Sequence, residues 1–270
     1  DSKDGTLAQL VEHFQLTQSD YLYLPQIETR PVRGVYLSRT ERRLIVLDKE
    51  AGGAKSDAIN AAMNLASKPY VCVVDADSML ERDGLLRIMA PVVNDPDRVV
   101  AAGGIVRVIN GSQVTNGSVR DVRLPWGFLE MMQVEEYLRA FLIGREGWNA
   151  FNMLLIISGA FGVFRTDLCK QLGGFRRGAI GEDLDLVVRM HRHLREHDQK
   201  YRVHFVADPV CWTEVPSTFK SLGNQRARWH NGLAECLWHN RCMLFNSRYG
   251  RIGWVAIPYM WLFELLAPIL

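Results

Sequence analysis

Residues 70–77 read Tyr70-Val71-Cys72-Val73-Val74-Asp75-Ala76-Asp77, a β-branched apolar run that stops at two carboxylates one residue apart. Five residues of this kind predict a fully buried strand, Tyr70 to Val74, of a mostly parallel sheet. In an open parallel sheet ligands gather outside the carboxyl ends of the strands, so Asp75 and Asp77 stand where a ligand would be met. A D-x-D pair can share a hard divalent cation such as Mg2+ or Mn2+. It can equally be the polar turn that ends a buried strand, and the pair alone does not choose.

Outward from this strand the pattern alternates. Arg43 to Leu47 reads as a strand, Ser56 to Ser67 as an Ala-rich helix, Asp83 to Val93 as a helix and Val99 to Val108 as a strand. Leu7, Leu10, Val11 and Phe14 recur at helical spacing near the start. Alternating strands and helices predict an α/β domain, its sheet covered by helices. Beyond it, Trp126 to Leu142 reads as a long amphipathic helix, followed by the glycine-containing GREGWN and a buried run from Met153 to Phe164. Asp183 to Leu194 and Phe219 to His239 read as helices, with a strand at Arg202 to Val206 between them.

Composition narrows the class. The 270 residues are 48% hydrophobic and 23% charged, enough for a substantial core. A formal net charge of +2 supplies no basic field for nucleic acid. Five cysteines without a CxxC pair fit reduced thiols better than a disulfide framework or a zinc site. The stretch from Ile252 to Leu270 is nearly all apolar and rich in Trp and Tyr, and Arg241, Arg248 and Arg251 precede it. It reads as an interfacial helix leading into a membrane span, with the basic side cytoplasmic; a buried core helix is the alternative.

Three further clusters carry chemistry. Gly181-Glu182-Asp183 opens a helix, where acids complement the macrodipole or, if oriented toward a hydroxyl, serve as a general base. Gln225, Arg228 and Trp229 in QRARW share one helix face, with a planar guanidinium suited to a diphosphate and an indole suited to a sugar ring. Lys55 follows the turn Gly52-Gly53-Ala54 at a helix start, where a phosphate can sit. His191 and His193 lie two apart and do not share a helix face, so both read as solvated positions rather than metal ligands.

In this order and spacing the set resembles the membrane-embedded family 2 glycosyltransferases, the group of cellulose, hyaluronan and poly-N-acetylglucosamine synthases. DSKDGT is similar to the end of their nucleotide-binding turn, GGAKSDAIN to their Gly-Gly-x-Lys segment, DAD to D-x-D, GED to the acceptor-base motif and QRARW to Q-x-x-R-W. The resemblance implies a glycosyltransferase-A-like fold with its N-terminal strand lying before Asp1, a catalytic domain over residues 1–240 and an interfacial segment over 241–270. It further implies that Asp75 and Asp77 hold the metal, and that Asp1, Lys55, Asp75, Asp77 and Arg228 meet a nucleotide sugar, a UDP-sugar. The acid that reads the base is Asp1 or precedes it. Asp183 becomes the base, and Ser158, Gly159, Glu182, Gln225 and Trp229 line a glycan or lipid-linked acceptor. The expected activity is inverting sugar transfer at the cytoplasmic side of the cell membrane. A non-processive transferase and a catalytically silent binding subunit remain the alternatives.

Overall fold

The computed structural model describes residues 4–267. In chain order it contains α1 (Thr6–Phe14), β1 (Leu16–Ser19), β2 (Val32–Ser38), β3 (Ile45–Lys49), α2 (Lys55–Leu65), β4 (Tyr70–Val74), β5 (Met79–Leu80), α3 (Gly84–Asn94) and β6 (Val99–Val108). There follow β7 (Gln113–Thr115), β8 (Ser118–Asp121), α4 (Phe128–Tyr137), α5 (Arg145–Ala150), β9 (Phe161–Arg165), α6 (Thr166–Gln171), α7 (Glu182–Glu196), β10 (Arg202–Thr213), α8 (Phe219–His239) and α9 (Ile257–Tyr259). Two compact units result, one formed by residues 1–69 with 166–179 and the other by 70–165 with 180–270.

The first unit holds the antiparallel sheet β1-β2-β3 with α1, α2 and α6. Amide side chains of α2 replace regular pairing for the irregular chain around it. Asn60 Nδ2 donates to the Phe175 carbonyl and its Oδ1 accepts from the Phe175 amide, both at 2.8 Å. Asn64 clasps Ile27 in the same two-way fashion, at 2.8 and 2.9 Å. Buried amides matched in both directions in this way leave little uncompensated polarity.

The second unit is built on the five-stranded sheet β4-β9-β6-β10-β5. The expected α/β architecture is present, but the sheet is mixed. β6 and β10 pair in parallel, while β9 runs antiparallel between β4 and β6, and β5 runs antiparallel to β10. The reason lies in the excursion between β6 and β9. The chain leaves β6 at the carboxyl edge of the sheet and returns at that edge, where the Asp75 amide, just past β4, donates to the Ala160 carbonyl at 3.1 Å. A strand starting there can only run back. Among the described residues β4 is the end strand, hydrogen-bonded by β9 alone, so it is half-buried rather than fully buried as its composition suggests.

Ile157 then sits over the sheet. Gly103 and Gly162 face each other across β6 and β9, and a Cβ on either would lie 2.8 or 2.7 Å from Ile157 Cγ2. Two missing side chains therefore make room for one apolar anchor, which fixes the approach of residues 158–160. In β10 the ladder slips between Val206 and Pro209 and again before Cys211, as expected where a proline cannot donate. The strand nevertheless continues to Thr213, seven residues past its apolar start.

GREGWN is helical, joined to α4 by a π-helical turn, Leu138–Gly144. Residues 241–266 share a core with the rest of this unit. Met243, Tyr249, Ile252, Ala256, Ile257 and Leu265 pack with Leu184, Val188, Cys236 and Leu237. These residues belong to the same compact unit as α7 and α8. No helix of the described residues is long and apolar enough to cross a membrane.

His191 corrects the expectation of a solvated position, being fully buried. Its Nε2 donates to the Leu154 carbonyl at 2.8 Å, and Nδ1 lies 2.7 Å from the Tyr201 hydroxyl. Its periodicity places it on the core face of α7, beside Val187 and Leu194. Burial lowers its pKa from 6.5 to about 4, partly opposed by the Leu154 carbonyl and reinforced by Arg195. The unfolded chain therefore takes up this proton well before the folded one. Stability is full above about pH 6.5 and falls as pH drops toward 4. We expect the loss over that window to reach a few kcal/mol, at ~1.4 kcal/mol per unit. Urea unfolding at stepped pH should show a slope shallower by about one proton in His191→Gln; an equal slope would exclude this histidine as its source.

Candidate functional site

Two acids and one short backbone segment organise the site. Asp75 is half-buried and Asp77 exposed on the turn after β4, which closes by the Ser78 amide donating to the Asp75 carbonyl at 3.1 Å. Asp183 opens α7 half-buried, with Glu182 before it. Its Oδ1 accepts from its neighbour's amide, Leu184, at 2.9 Å, and its Oδ2 accepts from the Gly159 amide at 3.0 Å. Since Ala160 is bonded to Asp75, the sequence Ser158-Gly159-Ala160 is tied to both acids. The Ser158 hydroxyl accepts from the Ala160 amide at 3.3 Å and tightens that turn.

Behind the D-x-D turn lies the end of β10. Burial pushes the Cys211 thiol up to about 11; the Ser78 hydroxyl works against this, and the Asp75 and Asp77 carboxylates add to it. Cys211 is thus within electrostatic reach of both acids and stays a neutral thiol at physiological pH. Beside Asp183 is Arg145, which sequence reasoning did not single out. Burial pulls its guanidinium down to about 10, opposed first by the Asp183 carboxylate and then by the Tyr137 phenol. It remains cationic at neutral pH, within electrostatic reach of Asp183. Its only signal was a charge inside a glycine-containing stretch.

The third component is α8, capped by Thr218 Oγ1, which accepts from the Ser221 amide at 3.2 Å. Gln225 is half-buried, and its Oε1 has no hydrogen-bond partner among the described residues. Arg228 is exposed, and Trp229 is 42% exposed. Arg226, between them, joins Glu136 of α4 through two 2.6 Å contacts.

The start of α7 is docked on this same helix. The Ile180 amide donates to Glu235 Oε2 at 3.2 Å. Gly181 meets Gly232 at backbone distance: a Cβ on Gly232 would stand 2.7 Å from the Gly181 nitrogen and 2.9 Å from its Cα. The glycine three residues after Trp229 therefore sets how close the Asp183 turn comes to α8. Asp75, Asp77, Ser158, Gly159, Glu182, Asp183, Gln225, Arg228 and Trp229 all belong to this unit. Lys55 begins α2 in the other unit, and Asp1 lies outside the described residues.

The model of the family described as "Glycosyltransferase like family 2" matches residues 32–232. The chain belongs to this family. The family 2 chain is 28% identical over 205 residues to the poly-beta-1,6-N-acetyl-D-glucosamine synthase of Staphylococcus aureus, across 75% of its own length and 44% of the synthase. It is 24% identical over 191 residues to the Bacillus subtilis protein named "Probable glycosyltransferase YdaM", across 71% of its length and 41% of that protein. The matches thus span less than half the length of these relatives. Its fold is similar to that of the mannosyltransferase PcManGT from Pyrobaculum calidifontis in complex with GDP-Man and Mn2+, with a TM-score of 0.50 at 20% identity over 78% of this chain and 50% of that one. The glycosyltransferase-A-like class expected from the motifs agrees with this likeness.

The contact of Gly232 with backbone atoms gives a direct test, because backbone cannot rotate out of the way. Gly232→Ala should destabilise the unit by roughly 1–3 kcal/mol, the usual cost of overpacking, and move the turn that carries Asp183. Thermal stability and turnover measured on one preparation should both fall. A variant of unaltered stability and rate would show that the approach of Gly181 to α8 is not required.

Proposed function

We propose that this family 2 glycosyltransferase transfers a sugar, with inversion, from a UDP-sugar to a hydroxyl of a glycan or lipid-linked acceptor, extending a polysaccharide at the cytoplasmic face of a membrane. The observation that carries the reading is the link from Asp183 through Gly159 and Ala160 to Asp75, which ties the base and the D-x-D acids to one three-residue segment. The polysaccharide synthase relative supports a polymer product. The UDP assignment rests on the resemblance to cellulose, hyaluronan and poly-N-acetylglucosamine synthases.

Asp183 takes the proton of the acceptor hydroxyl as that oxygen bonds to the anomeric carbon, and the bond from that carbon to the diphosphate breaks. Two backbone amides hold its carboxylate, one on each oxygen, so it meets the hydroxyl in a fixed orientation. Asp75 and Asp77 fit a divalent metal: two hard carboxylates on one exposed turn suit Mg2+ or Mn2+, which keep positions for water and phosphate oxygens. When bound there, such an ion would supply positive charge for the departing diphosphate. The exposed Arg228 adds a cation for the same leaving group, and Gln225 and Trp229 receive the acceptor, Gln225 with a buried oxygen able to accept from a sugar hydroxyl.

Nucleoside diphosphate release from a panel of UDP- and GDP-sugars tests this. Asp183→Asn should lower release by about 100-fold or more, the scale of general-base catalysis, with donor affinity retained. Excess EDTA should stop the wild-type reaction and Mg2+ or Mn2+ restore it. Loss of donor binding in the variant would remove Asp183 from the base role, and full activity in EDTA would remove the metal.

The membrane assignment is supported by an aromatic and basic surface. Trp254, Val255, Leu262, Phe263 and Leu266 are exposed in the helical segment after Arg251. Arg241 lies over Trp238 at 5.0 Å, and Arg251 over Phe151 at 5.6 Å. Indole and guanidinium groups of this kind favour the headgroup region of an anionic leaflet. Vesicles containing phosphatidylserine should sediment the protein, and the double substitution Trp254→Glu with Phe263→Glu should release it. Equal sedimentation of both would exclude this face as the contact.

A further inference from the structure

Within the QRARW stretch, Arg226 has no part in the chemistry above, yet it makes two short side-chain contacts with one carboxylate. Its Nη1 and Nη2 donate to Glu136 Oε1 and Oε2, both at 2.6 Å, and its guanidinium carbon lies 4.6 Å from the centre of the Trp229 ring. A planar fork held at both tips by one carboxylate has a fixed plane. A cation over an indole favours one placement of the ring.

The anchor is itself fixed. Tyr137, next to Glu136, is buried in the core of the second unit. One turn earlier Gln133 Nε2 donates to the Leu129 carbonyl at 3.0 Å and to the Pro216 carbonyl at 2.8 Å, tying α4 to the chain that leads into α8. Trp229 keeps 42% of its surface exposed despite the guanidinium against it.

We propose that Glu136 and Arg226 are a positioning pair that sets the plane of Trp229, with the guanidinium covering one face of the indole and the acceptor sugar stacking on the other. The inference rests on the acceptor reading of Trp229 given above and deepens it. It selects acceptors that present a flat C–H face of a pyranose ring. An ordinary ion pair with a third of each side chain exposed would have little effect on anything, so a specific effect on the acceptor is the distinguishing sign.

The experiment uses the intact protein labelled with 5-fluorotryptophan, the Trp229 resonance being identified by its loss in Trp229→Phe. Glu136→Gln and Arg226→Lys should each shift that resonance in the absence of any substrate. In turnover with UDP-N-acetylglucosamine, UDP-glucose or GDP-mannose and β-linked oligosaccharides, both should raise the acceptor KM about tenfold and leave the donor KM unchanged. The exchanged pair, Glu136→Arg with Arg226→Glu, keeps a bridge between α4 and α8 but takes the guanidinium off the indole, and it should remain impaired. Recovery of the acceptor KM in the exchanged pair would reduce Glu136 and Arg226 to a helix latch. An unmoved Trp229 resonance in both single variants would overturn the proposal. If the wild type consumes no donor, the glycosyltransfer reading fails, while the resonance still decides whether the pair holds Trp229.

Discussion

The geometry of the second unit depends on a backbone segment bonded at two adjacent positions to two different acids. The Ala160 carbonyl accepts from the Asp75 amide, and the Gly159 amide donates to Asp183 Oδ2. The constraint is strict because peptide groups are planar and successive ones differ by only two soft torsions. It is also why β9 must enter antiparallel, since the chain reaches the sheet at the edge where β4 ends. The mixed order of the sheet and the tie of both acids to residues 159 and 160 therefore involve the same segment. Ile157 over Gly103 and Gly162 holds the segment from beneath.

The second organising element is α8, which presents one set of side chains outward and docks another part of the site on its flank. Gln225, Arg228 and Trp229 occupy its middle turns, while Gly232 and Glu235 receive the chain just before Asp183. One helix thus carries the face assigned to the acceptor and fixes the turn of the residue assigned to activating it. A rigid 21-residue helix converts a change at either end into a change in the separation of those groups. Charge follows the same plan. Arg145 is kept cationic beside Asp183 despite burial, and Cys211 is kept neutral beside Asp75 and Asp77.

Much of this was legible in the sequence, and what was not has a common physical character. The strand over 99–108 agrees with its apolar run in both type and burial, the helix over 219–239 agrees in extent, and the strand over 70–74 agrees in extent but not in burial, since it ends the sheet. The motif side chains Asp75, Asp183 and Gln225 to Trp229 stand out in the sequence by residue type and spacing, and the structure places them in one unit. His191 was misread because two-residue spacing shows only that it and His193 face different sides, not which side is inside. The antiparallel insertion of β9 was hidden because a buried apolar run carries no direction.

The illegible part of the site is the part made by backbone. Gly159 acts through its amide and Ala160 through its carbonyl, groups that every non-proline residue possesses and that no composition signals. Gly232 acts through the side chain it lacks. Arg226 differs, since its side chain acts, but on Trp229 and Glu136 rather than on anything a motif records. The motif side chains can therefore be picked out by residue type, whereas the groups that hold them in place are found only where the chain brings distant segments together. In this chain those segments are separated by 24 positions at Gly159 and Asp183 and by 90 at Glu136 and Arg226.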